Sequence, residues 1–232
     1  MLATKKYYCH QNKYYLAVDC VIFGFDEEGL KLLLIQRNFE PEKGKWSLMG
    51  GFLEESENLD KAAKRILEEL TGLSSVYLEQ FHTYSDPGRD PGERVVSTAY
   101  YAFLRIQDYD AALTKQHGAR WFEIKKIPPL IFDHRQMATT ALDTVKQKNR
   151  FLPVGLELLP KKFTIPELQR LYEEIYEKKY DNANFRKKIM SMKILKKLNE
   201  KERENSKRGA YLYEFDRTRI TKMEKSALFF QM

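Results

Sequence analysis

The chain has 232 residues, 43% of them hydrophobic and 31% charged, enough for a soluble fold with a buried core rather than a disordered or fibrous chain. No apolar run approaches bilayer-spanning length, and the N-terminal MLATKKYYCHQNKYY lacks the uninterrupted apolar stretch of a secretory leader. Two cysteines, Cys9 and Cys20, argue against a disulfide framework, so the expectation is a cytoplasmic protein without a membrane partner.

The net charge of +7 is unevenly distributed. Cut between Asn149 and Arg150, just before a Pro- and Gly-bearing connector, the first part carries 20 basic and 21 acidic residues, hence −1. The second part carries 20 against 12, hence +8. A near-neutral body with a basic C-terminal third points to a polyanionic partner for that third alone. The expected domains are therefore 1–149 and 150–232.

Tyr14 to Phe25 reads as a strand, and Leu30 to Arg37 as its return across an Asp26–Gly29 turn. Arg37 to Lys45 is polar and Pro/Gly-bearing, hence a loop. In WSLMGGFLEESENLDKAAKRILEELTGL, Trp46 to Leu73, a short apolar strand and a Gly50-Gly51 turn precede an amphipathic helix. Leu59, Ala62, Ala63, Ile66, Leu67 and Leu70 recur at helical spacing, with Ser56 expected as the N-cap and Gly72 as the left-handed stop. A strand over Val76 to Phe81 leads into the turn-rich SDPGRDPG, 85–92. Arg94 to Leu104 is β-branched and aromatic, a buried strand. Ala119 to Ile124 gives a last strand, and Pro128 to Asn149 a long helix.

The Trp46–Leu73 stretch resembles the Nudix box. Gly51, Glu57, Arg65, Leu67, Glu69, Gly72 and Leu73 fall on its pattern, while Ile66 and Leu70 stand where the family's hydrolases carry glutamates. In those hydrolases these positions, with that of Glu69, hold catalytic magnesium, and aliphatic side chains offer a hard cation no oxygen. The resemblance thus implies a kept scaffold with deleted chemistry: no metal, no cofactor and no enzyme. DPGRDP with RVVSTAYYA, then ARWFEI and LIFDH, extends it to the branch holding ADP-ribose pyrophosphatases and the regulators derived from them. It covers roughly residues 14 to 149 and implies an α/β sandwich with a mixed sheet.

In the last third, Thr164-Ile-Pro-Glu167 forms a capping box with proline in the first turn. Ile165, Leu168, Leu171, Tyr172 and Ile175 make that helix's inner stripe. Tyr180-Asp181-Asn182 breaks it and caps a second helix, Ala183 to about Leu195, with Phe185, Ile189 and Met192 inward. Asn184, Lys187 and Ser191 lie opposite, flanked by Arg186 and Lys188. Lys196 to Glu200 and Ala210 to Asp216 pair as a hairpin, Tyr211, Tyr213 and Phe215 facing inward and Lys207 and Arg208 at its tip. Two helices and a basic-tipped hairpin are the layout of a winged helix-turn-helix domain, its second helix entering the major groove of a DNA operator. FTIPELQRLYE and NFRKKI also resemble segments of NrtR-type Nudix regulators, which implies homodimers on palindromic sites.

The resemblance implies either ADP-ribose or a free sugar as effector, the latter as for arabinose-responsive Nudix-type regulators. Loss of the metal that holds a pyrophosphate favours a pentose such as L-arabinose. Asp19, a carboxylate inside an apolar strand, needs a partner or a ligand, and with Gln36, Arg37 and Glu69 it is a candidate effector contact. His10, His82, His117 and His134 show no metal-ligand spacing and read as structural or exposed. The rival is a working nucleoside-diphosphate-sugar hydrolase with a cage built from Glu54, Glu55, Glu57, Glu68 and Glu69.

Overall fold

The computed structural model describes residues 10–72, 76–108, 118–148, 155–202 and 209–229, the last six by backbone alone. The two longest strands, β1 (Tyr15–Asp26) and β6 (Val95–Arg105), run parallel and side by side in the middle of a sheet. β2 (Gly29–Gln36) turns back on β1 through Glu27-Glu28, and β4 (Met49–Phe52) pairs with the N-terminal half of the same β1 edge. β7 (Ala119–Glu123) lines the outer edge of β2, β3 (Trp46–Ser47) pairs with the C-terminal end of β2 on its other edge, Ile35 pairing with both, and β5 (Leu78–Tyr84) lines the far edge of β6. Apart from β1–β6, the pairings between these strands are antiparallel, so the sheet is mixed.

Alternation along β1 sorts the core into two layers, since successive side chains point to opposite faces. Val18, Cys20 and Ile22 face helix α1 (Leu59–Thr71) and meet Ala62, Ala63, Ile66 and Leu67. Val21, Phe23 and Phe25 face helix α2 (His134–Lys148) and meet Met137, Ala141 and Val145. Asp19 shares the α2 face.

Local chemistry moves three boundaries from their expected places. Asn58, not Ser56, caps α1, its side chain accepting the Lys61 N–H at 2.9 Å, because Glu57 already accepts the Glu54 N–H and holds 54–57 as a turn. Helix α2 begins at His134 rather than Pro128. The two prolines hold the chain extended, Leu130 bridges to Trp46, and Phe132 turns left-handed at φ 46°. β5 is displaced to Leu78–Tyr84 with an irregularity between Gln80 and His82.

Beyond Gly155 the chain forms α3 (Ile165–Tyr176), α4 (Asn182–Ser191), the hairpin β8 (Leu195–Glu202) and β9 (Ala210–Phe215), then α5 (Arg217–Phe229), which the sequence reading does not anticipate. The capping box is complete, the Glu167 carboxylate accepting the Thr164 N–H at 2.7 Å and Thr164 Oγ1 the Glu167 N–H at 3.3 Å. Phe163, Leu168, Leu171, Ile175, Phe185, Ile189, Ile194 and Tyr213 are buried together. α4 stops four residues short of Leu195 because Lys193 turns left-handed at φ 56° and drops Ile194 into this core. Tyr211 does not face inward; it is exposed, with the Lys197 ammonium 3.5 Å above its ring.

The unit docks on the α2 face of the sheet. Arg170 of α3 donates to the Asp26 and Glu27 carbonyls, both at 3.1 Å, and the Tyr176 hydroxyl donates to the Lys146 carbonyl at 3.0 Å.

Candidate functional site

Asp19 sits opposite Gly50 in the β1–β4 register, and a Cβ on Gly50 would lie 2.2 Å from Asp19 Oδ1. Glycine is needed there for the carboxylate to occupy its place. Ser97 of β6 donates to Asp19 Oδ2 at 2.6 Å. From the 85–92 loop, Arg89 donates through Nε and Nη2 to Asp133 at 2.9 and 2.8 Å, with Nη2 3.7 Å from Asp19 Oδ2. A bidentate pair of this kind fixes orientation as well as charge.

His134 follows at the start of α2. Its Nδ1 accepts the Leu48 N–H at 3.1 Å, so the neutral ring carries its proton on Nε2, which lies 3.8 Å from Asp19 Oδ1. Burial pushes the His134 pKa below its ordinary value, although Asp19 pulls the other way. At the mouth, Arg37 lies 3.8 Å over the Phe39 ring and 5.5 Å from that of Phe132, and its Nε donates to the Phe39 carbonyl. Asp19, Arg37, Phe39, Phe52, Phe132 and His134 line a cleft of about 100 Å³. Its floor can exchange hydrogen bonds with hydroxyls, Arg37 can meet an anion, and the exposed Phe39 and Phe52 rings can cover a flat group.

Of the expected effector contacts, Asp19 and Arg37 line this cleft, whereas Gln36 and Glu69 do not. Gln36 ends β2 between Trp46 and Gly118, and Glu69 is an exposed residue of α1 3.6 Å from Arg65. Arg89, Asp133 and the cleft-facing side of His134 escape the sequence reading. The only trace of them is two charged groups flanked by turn residues, SDPGRDP and LIFDH.

Arg65 organises the turn before α1. It donates to Glu57 through Nε at 3.0 Å and Nη2 at 2.6 Å and to the Phe52 carbonyl at 3.1 Å, with Glu54 at 3.7 Å. The guanidinium holds the Glu57 carboxyl below the usual carboxylate range. Ile66 is buried at 3% exposure, and its Cδ1 would lie 3.0 Å from a Cβ on Gly51. Leu70 packs on the edge of the same cluster.

The second candidate surface is α4. Asp181 caps it by accepting the Asn184 N–H at 2.9 Å. Gln169 fixes the turn ahead of it, donating to the Tyr180 carbonyl, to Asn182 Oδ1 and to Glu173. Gln169, then Lys179 and the Tyr180 N–H, hold the Glu173 carboxyl down to about 2. Phe185 and Ile189 anchor the helix, leaving Asn184, Arg186, Lys187, Lys188 and Ser191 exposed on it. Arg186 reaches the Tyr213 hydroxyl at 3.4 Å, and Ser191 Oγ donates to the Lys188 carbonyl at 2.6 Å. Lys207 and Arg208 lie outside the described residues, as do Cys9 and His117.

Residues 13–141 match the NUDIX domain, and residues 155–215 match the NrtR DNA-binding winged helix domain. The chain is 32% identical over 204 residues to the ADPR responsive transcriptional repressor NtrR of Acinetobacter baylyi, covering 86% of this chain and 81% of the relative. Its fold is similar to that of Shewanella oneidensis NrtR complexed with a 27mer DNA, with a TM-score of 0.79 and 30% identity over 89% of this chain and 95% of that one. The isolated NUDIX domain of the same Shewanella protein, complexed with ADP ribose, matches at TM-score 0.54 and 29% identity, over 60% of this chain and 94% of that one. The mixed sheet between two helices falls within the first match and the winged helix within the second, and the chain belongs to the NrtR-type branch of the Nudix family.

Proposed function

We propose that this protein is a homodimeric, DNA-binding transcriptional repressor whose Nudix domain binds ADP-ribose without hydrolysing it and thereby loosens α4 from its operator. The observation that carries this reading is the pairing, in one chain, of a polar cleft on the sheet with an outward-facing basic helix. It is supported by relatives of similar sequence and fold, one named as an ADPR responsive transcriptional repressor and one complexed with a 27mer DNA. These relatives move the effector away from the free pentose expected from Ile66 and Leu70 and toward ADP-ribose. In a dimer, two copies of α4 placed about 34 Å apart would read successive major grooves of a palindrome. ADP-ribose need only favour a dimer geometry that mismatches this spacing.

The absence of turnover is supported by α1 itself. Ile66 and Leu70 contribute no oxygen donors, and Glu54, Glu57 and Glu69 are all drawn to Arg65. Calorimetry with ADP-ribose and with L-arabinose tests the effector, and the same solutions are assayed with magnesium for release of AMP and ribose 5-phosphate. Heat with ADP-ribose and no release of AMP is expected. Heat with L-arabinose alone would return the effector to a pentose, and turnover at enzymatic rates would replace the regulator by a hydrolase.

A further inference from the structure

Two polar atoms of buried residues on the cleft floor face each other without a hydrogen bond between them. Among the described residues nothing hydrogen-bonds to Asp19 Oδ1 or to His134 Nε2, which stand 3.8 Å apart. Asp19 is 7% and His134 4% exposed, and both line the cleft. The separation is too long for a direct bond but suits one hydroxyl beside both, donating its proton to Oδ1 and accepting the Nε2–H. The surroundings fix the direction of that exchange. Leu48 occupies Nδ1, so Nε2 is the donor, and Ser97 occupies Oδ2, so Oδ1 is the open acceptor. Gly50 leaves Oδ1 its room on the cleft wall. A carboxylate here repels phosphate, whereas Arg37 at the mouth attracts it, so an elongated ligand with a neutral polyol end and an anionic middle is oriented end first.

We infer that Asp19 and His134 form a hydroxyl-reading pair that seats a sugar hydroxyl at the cleft floor, the terminal ribose of ADP-ribose being its occupant and the diphosphate lying outward toward Arg37. The assignment of the sugar to ADP-ribose rests on the function proposed above. The pair itself rests only on the geometry of the cleft.

The test compares ADP-ribose with adenosine diphosphate tetrahydrofurfuryl ester, which lacks the terminal hydroxyls, by calorimetry on the full chain. Losing hydrogen bonds to a buried carboxylate weakens binding by roughly tenfold to a hundredfold. The wild type should therefore prefer ADP-ribose by at least about tenfold. Asp19→Asn, which keeps an acceptor for Ser97, should shrink that preference toward one. Equal affinity of the wild type for the two ligands overturns the proposal, as does an undiminished preference in a folded Asp19→Asn. Near-UV circular dichroism reports whether the variant is folded, and if it is not, the ligand comparison on the wild type decides alone. If ADP-ribose does not bind but D-ribose or L-arabinose does, and Asp19→Asn removes that binding, the hydroxyl pair stands and the ADP-ribose reading falls. Binding of no nucleotide and no pentose overturns both.

Discussion

Replacing Arg89 by alanine tests whether the cleft depends on a buried ion pair or on a surface one. An exposed Arg–Asp pair contributes about 0–1 kcal/mol. Here the Arg89 side chain is 4% and that of Asp133 16% exposed, and the contact is bidentate at 2.8 and 2.9 Å. Arg89→Ala would leave Asp133 without its cation and bring it into the company of Asp19 unshielded, 3.7 Å from where Nη2 stood. Breaking a buried pair by removing one partner costs about 3–5 kcal/mol. At about 2–4 °C per kcal/mol for a chain of this size, the apparent Tm should fall by about 6–20 °C. Differential scanning calorimetry at neutral pH and moderate salt reads it. A double variant, Arg89→Met with Asp133→Leu, should recover most of the loss, because apolar groups of similar volume carry no stranded charge. A fall below about 2 °C in Arg89→Ala would refute the reasoning and return the contact to the surface class.

Three further outcomes follow from the same structure. Arg186→Ala and Lys187→Ala should weaken operator binding while leaving thermal unfolding unchanged, and each lost phosphate contact should reduce the salt slope by about 0.9; unaltered fluorescence-anisotropy titrations in both would remove α4 as the reader. Thr164→Ala removes one half of the capping box and should cost about 1 kcal/mol in urea unfolding, with no change in ADP-ribose affinity. Glu173, held at about 2 against an ordinary 4.5, has the lower pKa in the folded state, so its contribution is complete above pH 4.5 and disappears as the pH falls toward 2; between those values Glu173→Gln should lose less stability on acidification than the wild type, and parallel losses would contradict the assignment.

Much of the architecture is legible in the sequence because it is local. Thr164 and Glu167 stand three residues apart, Gly72 ends α1 in the left-handed region at φ 74°, and the apolar periods of β1, α1 and α3 set their buried faces. What escapes is decided at long range. Ser56 loses the capping role to Asn58 because Glu57 is bound by Arg65, eight residues on. Tyr211 obeys the alternation of a strand yet stays outside, where Lys197 and Lys201 cover its ring. Asp19 is visible as an odd carboxylate in an apolar strand, but Ser97 is 78 residues away, Arg89 arrives from the 85–92 loop, and Asp133 and His134 arrive from the start of α2. Gln36 and Glu69 look equally eligible from sequence, and only their places at the end of β2 and on the outer face of α1 separate them from the cleft. The docking of Arg170 on the Asp26 and Glu27 carbonyls, which ties α3 to the β1–β2 turn, has no signature in either segment.

The central claim is that the Nudix cleft governs the hold on DNA. A fluorescence-anisotropy titration of ADP-ribose into the complex of this protein with an operator footprinted beside its own gene measures this directly. Release of the DNA at saturating ADP-ribose, with the nucleotide recovered intact, is the predicted result. A complex that stays bound at every concentration, or one released only as AMP accumulates, would contradict it.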